Sequence, residues 1–129
     1  MSESLSVIVT SGTREKLQMA AMITAVAAAG GTDVAVFVSM NALLFFHKDG
    51  APEAPPEGEV GRLLLAKKAP RFLELFEQAV ELGSVKIYPC SMAMDVLALE
   101  PEDLAAYVEK PVGLTKFLSE LDGSHVLTF

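Results

Sequence analysis

The sequence predicts an α/β fold: three layers, α/β/α, around a mostly parallel sheet of about five strands, in a single domain spanning residues 1–129. Three observations predict it. Short β-branched runs bounded by turn residues alternate with helical stretches. The first crossover is long enough to imply parallel, right-handed pairing of the strands it joins. Finally, 51% of the residues are apolar and 21% charged. That composition needs either a sheet covered on both faces or apolar surface buried against another subunit.

Leu5-Ser6-Val7-Ile8-Val9 reads as a buried strand ending at Thr10. Ser11-Gly12-Thr13 is a βα turn, with Thr13 a candidate N-cap and Lys16 where a capping box would have an acid. Arg14 to Ala29 is a helix whose polar residues thin out after Gln18, so most of its circumference is expected to be buried. Gly30-Gly31 ends it. Val34 to Val38 is a second buried strand, and Ser39 to Phe46 a short apolar helix.

From 47 to 69 the composition shifts to Pro52, Pro55, Pro56, Gly50, Gly58 and acids, the signature of a long loop or lid with a brief helical turn at Arg62–Ala66. Pro70 suits a first helical position. Phe72, Leu75, Phe76, Ala79 and Val80 then share one helical face, and Gly83 closes the helix. Val85 to Tyr88 is a strand, Pro89-Cys90 a corner, and Ser91 to Leu97 a short helix. Pro101-Glu102-Asp103 starts another helix with acids in its first turn. Pro111 begins a last one, with Leu114, Phe117, Leu118 and Leu121 at helical spacing. After Gly123, His125 to Phe129 closes the sheet.

The net charge of −7 and the absence of a basic run argue against nucleic acid as a partner. No membrane span is expected: the longest apolar stretch, Val34 to Phe46, is about 13 residues, against roughly 20 for a span. Met1-Ser2-Glu3-Ser4 does not read as a secretory signal. A lone cysteine permits no intramolecular disulfide and fits a reducing, cytoplasmic compartment.

Cys90 is the most chemically pointed residue. A thiol just past a strand's carboxyl end, at the mouth of a helix, meets open N–H groups and the positive end of the helix dipole, which favour thiolate. From position alone two readings stand: a buried structural thiol, or a nucleophile that takes and passes on a group. Ser91 would cap the helix or hold an anion, and Met92 and Met94 would line an apolar pocket. Asp95 reads as a solvated residue, since its charge would oppose a thiolate.

A Cys/His hydrolase would need His47 or His125 within reach of Cys90; both read as surface histidines. No metal site is expected, because one cysteine and two distant histidines give no ligand spacing. No cofactor is expected either. The Thr10–Thr13 turn lacks the glycines and lysine of nucleotide motifs, although Ser11 and Gly12 could hold a small anion. Met19, Met22, Met40, Met92 and Met94 read as core filler.

The segment Lys86-Ile87-Tyr88-Pro89-Cys90-Ser91-Met92-Ala93-Met94-Asp95-Val96-Leu97 resembles the cysteine motif of the DsrE/DsrF-like proteins, in the branch with Cys-Ser-Met-x-Met-Asp. The opening strand with Ser11-Gly12, the Val34–Phe46 segment and Pro101-Glu102-Asp103-Leu104 extend the resemblance; the 47–69 loop matches least. The position after Leu97 is often glycine in that family and is Ala98 here. The resemblance implies a sulfur-relay protein whose cysteine, here Cys90, carries sulfane sulfur as persulfide, or a thiosulfate group as S-thiosulfonate. It would pass that group to a TusA-like or related carrier. The resemblance also implies trimers or hexamers. The alternative is a non-catalytic anion- or nucleotide-binding module with a structural cysteine. Peroxide reduction ranks behind both, for want of a resolving cysteine.

Overall fold

The computed structural model describes residues 4–49 and 53–129. Gly50 and Pro52 of the loop, and Met1 to Glu3, lie outside the described residues. The elements run β1 (Ser4–Val9), α1 (Arg14–Ala29), β2 (Asp33–Val38), a 3-10 helix (Met40–Phe46), α2 (Glu59–Ala66), α3 (Phe72–Leu82), β3 (Val85–Pro89), α4 (Ser91–Leu97), a 3-10 turn (Pro101–Asp103), α5 (Leu114–Ser119) and β4 (His125–Thr128).

The sheet has four strands in the order β3-β2-β1-β4, and every pairing is parallel. The expected α/β class holds. Going from β1 to β2 to β3 the chain steps one way, so right-handed crossovers set α1 and α3 on one face. The return from β3 to β4 runs the other way and carries α5 to the opposite face. Side-chain alternation agrees. Val7, Val9, Val36, Val38 and Ile87 share the face under α1 and α3 and are almost completely buried. Phe37 and Tyr88 point to the other face, where Phe117 of α5 packs on them with ring centroids 4.8 and 6.5 Å away.

The fifth strand is present only as a strap. Residues 109–112 run along the outer edge of β3: Glu109 N–H donates to Ile87 C=O at 2.8 Å and Val112 N–H to Pro89 C=O at 3.0 Å. Val112 pairs with Cys90 as an isolated parallel bridge. This is why Pro111 does not begin a helix. The backbone of Val112 is committed to the sheet edge on both sides, so α5 starts only at Leu114.

Three other expectations need correction. Residues 40–46 form a 3-10 helix, in which residues three apart share a face. Ala42 stacks with Phe45 and Leu43 with Phe46 on the buried side, while Asn41 and Leu44 are exposed. Pro101 opens a turn of three residues instead of a helix. There the Asp103 carboxylate accepts the Glu100 N–H at 2.8 Å, and the following chain is drawn into contacts with the 46–48 segment, Lys48 N–H to Asp103 C=O and Ala105 N–H to Phe46 C=O. Pro70 lies outside α3, whose N-cap is Arg71; its carbonyl instead accepts the Gln18 side-chain amide at 2.9 Å.

The methionines are not core filler. Met19, Met22, Met40 and Met92 are about half exposed, and of the five only Met94 joins the core. Nor is α1 buried round most of its circumference, since Met19, Met22 and Val26 form an exposed apolar stripe at i, i+3 and i+7.

Candidate functional site

Strand β3 delivers Cys90 to the carboxyl edge of the sheet, where parallel α/β folds bind and react. Its N–H donates to Val38 C=O at 2.9 Å, so the backbone of Cys90 still belongs to the sheet. Its C=O accepts the Met94 N–H at 3.0 Å, so it is also the N-cap of α4. One residue thus closes the strand and opens the helix.

Of the N–H groups at this helix start, that of Ser91 is taken by Val112 C=O at 3.0 Å. Among the described residues, those of Met92 and Ala93 have no acceptor. They are the open donors nearest the sulfur's own residue. The Ser91 side chain makes no cap hydrogen bond. Met92 projects to solvent at 53% exposure, whereas Ala93 and Met94 turn inward to the core.

Cys90 itself is 4% exposed, and neither of the two best-formed cavities reaches it. The backbone bridge to Val112 lays the strap directly beside it. The strap and the first turn of α4 are the two backbone segments that flank this buried residue.

Ser11 and Gly12 occupy the same carboxyl edge two strands away, about 10 Å at ordinary strand spacing. Their local roles are visible. The Ser11 N–H and the Thr10 N–H both donate to Phe129 C=O, at 3.3 and 2.8 Å. A Cβ at position 12 would stand 2.9 Å from Asn41 Cβ and 3.0 Å from a Phe45 ring carbon, so glycine there admits the 40–46 helix. That helix also packs against α4 and so fills the edge between the two turns. Cys90, Ser91, Met92 and Met94 are neighbours along the start of α4, but Met92 faces solvent and Met94 the core, so the two methionines do not line one pocket, and Ser11 and Gly12 lie apart from them.

His47 pairs with Leu104 in an isolated bridge, and its Nδ1 accepts the Asp49 N–H at 3.2 Å. His125 begins β4, at the sheet edge opposite β3. Asp95 is exposed on α4. Among the described residues, no three histidines, cysteines or acids are grouped so as to hold a metal ion.

The 53–58 segment lies against α1. Arg14 N–H donates to Pro55 C=O at 2.9 Å, and Thr13 Oγ1 to Glu57 Oε1 at 2.6 Å. The Glu15 carboxylate accepts the N–H groups of Glu57 and Gly58, both at 2.8 Å. Those bonds, the Glu57 one foremost, lower its pKa against the opposing effect of burial. Sequence reasoning missed Arg14, Glu15 and Gln18, because their partners lie roughly 40 to 50 residues away. The only hint was a cationic helix start facing an acidic loop.

A parallel α/β sheet with a lone cysteine capping the helix at its carboxyl edge defines a class of small cysteine-bearing α/β proteins. Comparison narrows this. The sequence profile of the DsrE/DsrF/DrsH-like family matches residues 59–129, which include Cys90 and the strap. The chain belongs to that family. No curated protein sequence matches it. Its fold is similar to the crystal structure of the ychN protein from E. coli, with a TM-score of 0.67 and 18% identity over 100% of both chains. It is also similar to the structure of MTH1491, a protein of unknown function from Methanobacterium thermoautotrophicum, with a TM-score of 0.65 and 9% identity over 98% of this chain and 99% of that one.

Proposed function

We propose that this protein is a cytoplasmic sulfur carrier that takes sulfane sulfur, or a thiosulfate group, onto Cys90 and passes it to a TusA-like or related carrier. Family membership suggests a sulfur-relay role. The observation that carries the assignment to this residue is the position of the lone cysteine as N-cap of α4, two and three residues before the open N–H donors of Met92 and Ala93. The Cys90 thiolate attacks the outer sulfur of a persulfide or polysulfide donor. A new S–S bond forms, the donor's S–S bond breaks, and the donor leaves as a thiolate or shortened polysulfide. With tetrathionate the same attack leaves an S-thiosulfonate on Cys90 and releases thiosulfate. No cofactor takes part. In this reading the open N–H groups of Met92 and Ala93 steady a terminal sulfur anion, and burial keeps it from solvent oxidants.

One observation favours the other reading, a structural thiol in a non-catalytic module: Cys90 is 4% exposed. Intact mass after incubation with polysulfide separates the two. A carrier gains sulfur atoms that cyanide or a thiol removes, and Cys90→Ser gains none. A wild-type chain that stays unmodified while its denatured form reacts is the outcome of a structural thiol.

We also propose self-association as a trimer or hexamer. The exposed Met19, Met22 and Val26 stripe on α1, together with Met92 and Val96 on α4, supports it. Among the described residues no helix is long and apolar enough to cross a membrane.

A further inference from the structure

A second candidate site lies on the α1/α3 side of the sheet, apart from Cys90. A cavity of about 90 Å³ opens between the first turns of α1 and α3, the end of α2 and the 53–54 segment. Arg14 and Gln18 form its polar side; Leu64, Leu65, Phe72 and Leu73 form much of the rest. A water needs roughly 10–15 Å³ of such space, so the cavity takes a molecule of several heavy atoms and excludes a nucleotide.

Its chemistry is set by Arg14, which is only 9% exposed. A guanidinium carries five N–H donors. Among the described residues Arg14 uses one, from Nη1 to Gly61 C=O at 2.8 Å. Its counter-ion is Glu53, and Nη2 to Oε2 is 3.8 Å, beyond hydrogen-bond range. Glu53 is held more closely by the exposed Arg71, at 3.1 Å. Among the described residues, a nearly buried cation therefore stands with most of its fork unfilled, beside a carboxylate that leans to another partner. Beside it, Gln18 spends one amide N–H on Pro70 C=O at 2.9 Å and retains a second.

We propose that this cavity binds a small organic monocarboxylate with a short hydrocarbon tail. The carboxylate takes a bidentate place on Arg14 and the second Gln18 N–H. The tail lies against Leu64, Leu65 and Phe72, where burying each methylene is favourable. Glu53 is the internal competitor: its side chain, about half exposed, swings away with Arg71 when the ligand enters. An inorganic oxyanion gains nothing from the leucines, and an alcohol of the same length offers Arg14 a single neutral acceptor in place of a charged, bidentate one.

The test is NMR titration of the full chain with hexanoate, hexanol and sulfate, reading the Gln18 side-chain amide, the Arg14 Nε–H and the Leu64 and Leu65 methyls. Saturable shifts at those groups with hexanoate, and binding about tenfold weaker for hexanol and sulfate, are expected. Glu53→Gln, at an exposed position, should tighten hexanoate by removing the competitor, and Arg14→Gln should weaken it about tenfold. Where Arg14→Gln fails to fold because Gly61 loses its donor, Glu53→Gln decides. Absence of shifts at Gln18, equal binding of hexanol, tighter binding of sulfate, or unchanged affinity in Glu53→Gln would each overturn the proposal.

Discussion

At the scale of single residues, Ala98 shows how one side chain departs from what its backbone prefers. It caps α4 in the left-handed region, at φ 57° and ψ 41°, with its N–H on Asp95 C=O and that of Leu99 on Met94 C=O. This is a helix end that glycine makes without strain. The conformation costs an alanine about 1–2 kcal/mol, and glycine returns about 0.4–1 kcal/mol of that through its freer unfolded chain. Ala98→Gly is therefore expected to raise stability by about 0.5–1 kcal/mol in denaturant unfolding. A loss of stability would mean that the alanine methyl packs usefully. The motif around Cys90 was legible from residues alone, because strand, corner and helix start are written locally in Val85 to Leu97. The burial of Cys90 was not, since the strap that pairs with it at Val112 lies about 20 residues on and carries no local signal.

At the scale of elements, the strap and the α1 start each make a prediction. Val112 N–H on Pro89 C=O holds the strap against β3 beside Cys90. Val112→Pro removes that donor and should free the strap locally. Alkylation of Cys90 by iodoacetamide under native conditions is expected to speed up about tenfold, the worth of one backbone hydrogen bond. An unchanged rate would show that the first turn of α4 is the real barrier. Glu15 caps the start of α2 from a different helix, through the N–H groups of Glu57 and Gly58. Its pKa is lowered from the ordinary 4.5, so its contribution is complete above that value and is lost as pH falls through the lowered one. Hydrogen exchange of the Glu57 and Gly58 amides should rise on acidification below about pH 4.5, beyond what intrinsic chemistry gives, and Glu15→Gln should remove that pH dependence. Helices with a strong one-sided pattern, such as Phe72 to Leu82, were readable from sequence. Pro70, Pro101 and Pro111 misled, because a proline marks a place where a helix can start and says nothing of whether the neighbouring backbone is needed elsewhere. The 3-10 form of Met40–Phe46 was hidden for another reason: in a run of apolar residues, periods of 3 and 3.6 look alike.

At the scale of the molecule, the two faces of the sheet are unequal. Two long helices seal one face. On the other, α5 has six residues and sets a single buried aromatic, Phe117, over Phe37 and Tyr88. Phe117→Ala is expected to cost about 3–5 kcal/mol, since no second helix can close over the gap. A midpoint shift in urea with no change of slope would give that value. A larger consequence concerns the apolar residues that the monomer leaves outside. Composition offered two accounts of the 51% apolar content, a sheet covered on both faces or burial against another subunit. The proposed assembly takes up the second, and Met19, Met22, Val26 and Val96 are the exposed apolar residues it would cover. Light scattering should therefore give a mass near three or six times 13.7 kDa. Val26, 74% exposed in the last turn of α1, tests the surface involved. Val26→Asp leaves the core untouched, so a fall to monomer with unchanged circular dichroism would place α1 in the interface. If the assembly survives Val26→Asp but not Val96→Asp, the interface lies on α4 beside Cys90, and the neighbouring subunit helps to wall the thiol. A monomer in the unaltered protein would overturn the proposed assembly and leave the apolar stripe on α1 without an occupant.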